Sequence, residues 1–154
     1  MKSLARRCLF QIKPYVPGRP IEEVQKKFRL KEVIKLASNE SPFSPSRRVV
    51  SALRKALAHL NRYPEGSCPD LRRELSRRLK VARNQLIFGN GSDEIIVMAI
   101  RAFVSPGDEV IVASPSFLVY EIASKVAGAV VRSVPLNDLH YNLEGMKKAV
   151  QFQF

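Results

Sequence analysis

The sequence predicts an α/β fold with a largely parallel sheet, preceded by an irregular arm and two amphipathic helices. Three observations carry this expectation. From Gln85 onward strand-like and helix-like segments alternate; between Arg47 and Leu79 apolar residues recur every three or four positions; and the first 43 residues are broken up by prolines. Strands that read as short apolar runs separated by helices belong to sheets covered by helices.

In the arm, Lys13–Pro20 (KPYVPGRP) is punctuated by proline, Ile21–Leu30 is a short amphipathic stretch, and Val33–Ala37 alternates as a short strand would. Ser38–Ser46 (SNESPFSPS) reads as a loop, because its prolines disfavour helix in the residues before them. Over Arg47–Leu60, Val49, Val50, Leu53, Ala56, Leu57 and Leu60 share one helix face with the arginines opposite. Ser44 or Ser46 can cap its start. A second helix begins near Pro69–Asp70, with Leu71, Leu75 and Leu79 on one stripe, after the turn-rich Asn61–Cys68.

Then the rhythm changes. Gln85–Phe88 reads as a strand, GNGSDE as a loop and Glu94–Val104 as an apolar helix. A turn at Pro106–Asp108 leads into the strand Glu109–Ala113. A helix follows, running to about Ala127 and capped by Gly128. Ala129–Pro135 suits a third strand and Leu143–Val150 a further helix. Three zones result: an arm (1–43), a helical segment (44–83) and part of an α/β domain (84–154). The sequence closes on Gln151–Phe154 without a pattern that reads as the end of a domain.

With 154 residues, 45% of them apolar, the chain suffices for one domain with a core. No repeat, low-complexity tract or bilayer-length apolar run occurs. The basic start, Met1–Arg7, is followed by an apolar stretch of only Cys8–Phe10, too short for a signal peptide, so the expected location is the cytoplasm. Cys8 and Cys68 lack the spacing of a metal or redox motif, and His59 and His140 stand alone, so no metal site is expected. The net charge of +12 is uneven: residues 1–83 hold 21 Lys and Arg against 7 Asp and Glu, and residues 84–154 hold 5 against 7. The basic residues are spread over helix faces without interleaved aromatics. That favours a solvated face over a nucleic-acid site and can steer phosphorylated metabolites towards the protein.

Two segments carry chemistry. In Gly89–Glu94 (GNGSDE), glycines let a backbone approach a ligand closely, and a helix start presents unpaired N–H groups with positive dipole character. A phosphate suits such a place. The segment is neither a dinucleotide fingerprint nor a Walker loop, and taken alone it equally suits a helix start capped by Ser92 and Asp93. The second segment is Pro115-Ser116-Phe117, with Tyr120 three residues on, at the carboxyl end of a strand, where open α/β sheets bind ligands. An aromatic there can stack on a planar ring or belong to the core.

GNGSDE followed by PSFLVY resembles the cofactor site of fold-type-I pyridoxal-phosphate aminotransferases. Three further segments, KPYVPGRPIEE (Lys13–Glu23), IKLASNESPFSPS (Ile34–Ser46) and RYPEGSCPDLRREL (Arg62–Leu75), resemble in order and spacing the histidinol-phosphate aminotransferase branch. The resemblance runs from about Ile12 to Val150 and covers less than half of a complete family enzyme. It implies the first part of a three-layer fold-type-I transferase domain, pyridoxal phosphate as cofactor, and a homodimer with active sites at the subunit interface. The implied reaction is amino-group exchange between histidinol phosphate and 2-oxoglutarate in histidine biosynthesis.

By the same resemblance Gly91, Ser92 and Asp93 would hold the cofactor phosphate, and Phe117 would stack on the pyridine ring. Tyr63 would reach the phosphate in the neighbouring subunit, Tyr15 would line the substrate pocket, and Asn39 with Glu40 would flank it. Segments like those carrying the family's Schiff-base lysine, its ring-holding asparagine and aspartate, and its substrate-gripping arginine are absent from this sequence. Lys125 lies on a helix after the stacking residue and does not match the lysine motif. The chain therefore reads as a truncated form, inactive alone. Threonine-phosphate decarboxylases and aromatic aminotransferases are the near alternatives, with a non-catalytic remnant or a basic binding module further away.

Overall fold

The structure, a computed structural model, describes residues 4–150. The basic start before Leu4 and the closing segment Gln151–Phe154 lie outside the described residues. The chain divides into two compact units, one spanning residues 15–80 and the other residues 81–154 together with the first 14.

The 15–80 unit holds three helices. α1 (Ile21–Phe28) has Glu22 and Glu23 in its first turn and Lys26 and Lys27 in its last, the charge order that the helix dipole favours. It ends at Arg29 in the left-handed conformation, φ 54°. α2 (Arg47–Ala56) is capped by Ser46, whose Oγ accepts the Val49 N–H at 3.4 Å, and tightens into a 3₁₀ turn over Leu57–His59. α3 (Pro69–Leu79) starts on proline, where the missing N–H costs nothing.

The strand expected at Val33–Ala37 is not formed: the segment is irregular. Its alternation is real, but it turns Ile34 and Leu36 to solvent and Lys35 inward, where Nζ meets Glu40 at 2.9 Å. A strand is defined by its neighbour, and no segment of the described residues pairs with this one.

The second unit contains α4 (Gly91–Phe103), β1 (Glu109–Ser114), α5 (Leu118–Ala127), β2 (Val130–Pro135) and α6 (Leu143–Ala149). β1 and β2 pair in parallel, Glu109 opposite Val130 through Ser114 opposite Pro135, with α5 as the crossover. Gly128 ends α5 at φ 88°, its Schellman-type bonds running to Ser124 and Lys125 carbonyls. The parallel sheet matches the α/β expectation, but the strand expected at Gln85–Phe88 does not join it. Arg83–Gln85 is a 3₁₀ turn, and Leu86 is extended (φ −111°, ψ 133°) but lies outside the two-stranded sheet. α4 also starts at Gly91, three residues earlier than its apolar pattern suggests.

The buried centre lies between sheet and crossover helix: Val112 and Ala113 on β1, Val134 on β2, Ala123 and Ser124 on α5. Ser124 is fully buried and satisfied, its Oγ donating to the Tyr120 carbonyl at 2.7 Å. Little else is enclosed. Two compact units of these sizes would expose about 9,500 Å² together without touching at all. The chain exposes 14,324 Å².

Candidate functional site

Two loops of the second unit carry Gly91, Ser92, Asp93 and Phe117, four of the residues singled out by sequence. One enters α4 and the other enters α5, and the two helices pack against each other.

At the first loop the chain turns sharply at Gly89–Gly91, where the Gly91 N–H donates to the Gly89 carbonyl at 2.9 Å. Gly91 has φ 77°, a conformation that L side chains rarely adopt, and the space a Cβ would fill there is open. The Asn90 side chain caps nothing in the first turn. Ser92 and Asp93 follow, in the turn whose amides have no acceptor within the helix. The loop is held by a residue that sequence reasoning assigned no role. Glu94 Oε2 accepts the backbone N–H of Asn90 at 2.5 Å and its side-chain N–H at 3.1 Å. Glycine gives it room, since a Cβ at position 89 would lie 3.1 Å from that same oxygen and 3.0 Å from Ile95 Cδ1, and those side chains would have to shift.

At the second loop Phe117 is the N-cap residue of α5, just past the carboxyl end of β1 and the cis Ser114–Pro115 bond. Its ring is partly exposed and lines a recess of about 160 Å³ with Ser114, Ser116, Glu121 and Ser133. Tyr120 meets it edge to face and turns towards a more apolar cavity of about 220 Å³ with Ile100, Val112, Tyr141 and Met146.

Tyr15, Asn39 and Tyr63 belong to the 15–80 unit. Asn39 sits in the left-handed region (φ 48°) beside Ser38 (φ 72°), so the loop turns tightly there. Tyr15 is half exposed, and Tyr63 fully so. The structure thus brings Gly91, Ser92, Asp93 and Phe117 into the second unit and leaves the other three in the 15–80 unit. Among the described residues no cluster of His, Cys, Asp or Glu could hold a metal ion, and no helix is long and apolar enough to cross a membrane.

The residues present fit a phosphorylated planar cofactor. A glycine with open space above it, followed by a helix start uncapped by its own N-cap side chain, suits a phosphate. A partly exposed aromatic at the strand end suits a flat ring.

Known proteins resemble this chain over most of its length. The histidinol-phosphate aminotransferase of Moorella thermoacetica is 45% identical over 145 residues, 94% of this chain and 38% of the relative. That of Caldicellulosiruptor saccharolyticus is 43% identical over 145 residues, 94% of this chain and 40% of the relative. The chain therefore spans about two fifths of the length of these curated relatives. Among solved structures, the histidinol-phosphate aminotransferase of Sinorhizobium meliloti in complex with pyridoxal-5'-phosphate superposes with a TM-score of 0.81 at 23% identity. The match covers 97% of this chain and 39% of that one, and it shows the fold. An aspartate aminotransferase of Thermus thermophilus, a single mutant, gives a TM-score of 0.72 at 26% identity, covering 98% of this chain and 42% of that one. Both strands, the crossover helix and the two loops described above fall within residues 31–153, which match the family model for aminotransferase class I and II. The chain belongs to that family.

Proposed function

We propose that this chain is the N-terminal, cofactor-anchoring part of a pyridoxal-phosphate enzyme that exchanges an amino group between histidinol phosphate and 2-oxoglutarate. The observation that carries this is the identity of 45% over 145 residues to a histidinol-phosphate aminotransferase, which extends through both loops and the arm. Pyridoxal phosphate, when bound, supplies the electron sink for amino transfer. The chain's own residues bind and orient. The amides of Ser92 and Asp93, reached past the bare backbone of Gly91, donate to the phosphate. Phe117 offers its ring to the pyridine.

Under the same proposal Tyr63 serves the phosphate of a partner subunit in a homodimer, and Tyr15 and Asn39 contact the substrate. The arm (1–43) and helical segment (44–83) then belong to the small-domain and interface region, and residues 84–154 to the cofactor domain. A biosynthetic enzyme of this kind works in the cytoplasm. No lysine here is given the role of carrying the cofactor, so the chain by itself turns over nothing.

A graft tests the assignment. This chain replaces the aligned 145 residues of the Moorella thermoacetica enzyme; glutamate formation from 2-oxoglutarate is followed with histidinol phosphate or phenylalanine as partner, and carbon dioxide release with threonine phosphate. Activity with histidinol phosphate above the other two is expected. A folded graft that binds cofactor but prefers phenylalanine or threonine phosphate would overturn the substrate assignment.

A further inference from the structure

Glu94 stands at the fourth position of α4, where an acidic residue ordinarily does no more than face the helix dipole. Here its carboxylate leaves the helix axis and folds back over the preceding turn. One oxygen accepts twice from Asn90, from the backbone N–H at 2.5 Å and from the side-chain amide at 3.1 Å. The fold-back is built into the sequence on both sides. Gly89 has no Cβ to obstruct it, and any side chain there would press on Glu94 Oε2 and Cβ. Gly91 supplies the positive φ that sends the chain from Asn90 into the helix.

We propose that Glu94 is a positioning residue for the phosphate site: by clamping Asn90 it fixes the Gly89–Gly91 turn and so aims the Ser92 and Asp93 amides. This rests on the phosphate-site assignment above. The clamp has a cost that makes its role testable. A carboxylate near a bound phosphate repels it, so charge alone would make removal of Glu94 favourable to binding. A positioning role gives the opposite sign.

The test uses the full chain, ¹⁵N-labelled, with two variants, Glu94→Ala and Glu94→Gln. Two quantities are read: hydrogen exchange at the Asn90 amide, and the affinity for inorganic phosphate from the shifts of the Ser92 and Asp93 amides. In Glu94→Ala the Asn90 amide is expected to exchange about tenfold faster and phosphate to bind about tenfold more weakly, the size of one lost charge-assisted hydrogen bond. The Val104 amide, which donates to Ile100 at 2.9 Å at the far end of α4, is expected to keep its protection and so reports that the helix is intact. Glu94→Gln keeps an acceptor and loses the charge; phosphate is expected to bind it at least as tightly as the parent chain.

Unchanged Asn90 exchange in Glu94→Ala, or tighter phosphate binding by it, would overturn the clamp. If phosphate moves neither Ser92 nor Asp93 in the parent chain, the phosphate site itself fails, while Asn90 exchange still decides whether Glu94 holds the turn. A Glu94→Ala chain that has lost Val104 protection defers the decision to Glu94→Gln, in which binding tenfold weaker than in the parent would contradict the proposal.

Discussion

The rings of Phe117 and Tyr120 meet edge to face, with centroids 6.1 Å apart and planes at 88°. Tyr120 thereby packs against Phe117, which also lines the 160 Å³ recess. A stacked aromatic pair contributes about 0.5–1.5 kcal/mol beyond its buried area. Phe117→Leu is therefore expected to weaken pyridoxal phosphate binding about three- to tenfold and to leave inorganic phosphate affinity unchanged. Tyr120→Leu should act in the same direction and more weakly. Parallel titrations with the two ligands check this; equal losses for both would show that Phe117 supports the loop and not the ring.

The two glycines of the phosphate turn are needed for different reasons, and substitution separates them. At Gly91 a Cβ meets nothing, so only the φ of 77° resists it. Gly91→Ala is expected to cost about 1–2 kcal/mol, and Gly91→Asn less, because asparagine tolerates the left-handed region. At Gly89 the resistance is steric, from Glu94 and Ile95. Gly89→Ala is expected to release the Asn90 amide from protection, and Gly91→Asn is not. Denaturant midpoints and amide exchange on the same variants measure both.

How far these features can be read from sequence depends on whether their cause is local. The helices were legible: Ser46 caps α2, Pro69 starts α3 and Gly128 ends α5 at φ 88°. Each signal sits within one turn of its effect. The strand at Val33–Ala37 was overread because alternation reports an extended backbone, whereas a ladder also needs a neighbour; the short run Gln85–Phe88 is extended at Leu86 but does not enter the β1–β2 sheet. In the site, the glycine pattern marked the turn at once. Glu94 escaped because an acid in the first turn of a helix has an ordinary explanation, and its fold-back onto Asn90 depends on three-dimensional geometry.

On α3, Glu74 bridges Arg77 at 2.8 Å and Arg78 at 2.5 Å. These hydrogen bonds hold its carboxyl at about 2, well below its usual 4.5. A carboxylate with a depressed folded pKa adds stability that is complete above its unfolded value and is lost as pH falls through the folded one. The difference in thermal stability between the parent chain and Glu74→Gln should thus shrink as pH falls from about 4.5 to about 2. Because the groups are exposed, salt on the order of 1 M should shrink it too. A Glu74 side-chain carbon shift titrating near 4.5 would contradict the arrangement.

Phe103, Ile87 and Leu143 are 85%, 64% and 70% exposed, and among the described residues each strand of the two-stranded sheet has an edge with no further strand beside it. Apolar surface beside an unpaired edge drives association. The purified chain is expected to bind a hydrophobic dye and to associate with rising concentration in light scattering. A monomer that binds no dye and stays monodisperse as its concentration rises would contradict this.

The central claim, that the helix start at Gly91 and the ring of Phe117 together form a cofactor site, is tested most directly by the amide map of the chain titrated with pyridoxal phosphate. Gly91, Ser92, Asp93 and Phe117 are expected to shift together along one binding curve, with inorganic phosphate displacing the first three. Shifts confined to lysine-bearing segments, with those four amides unmoved, would mean that the cofactor only forms covalent adducts at exposed amines and that these four residues do not form its site.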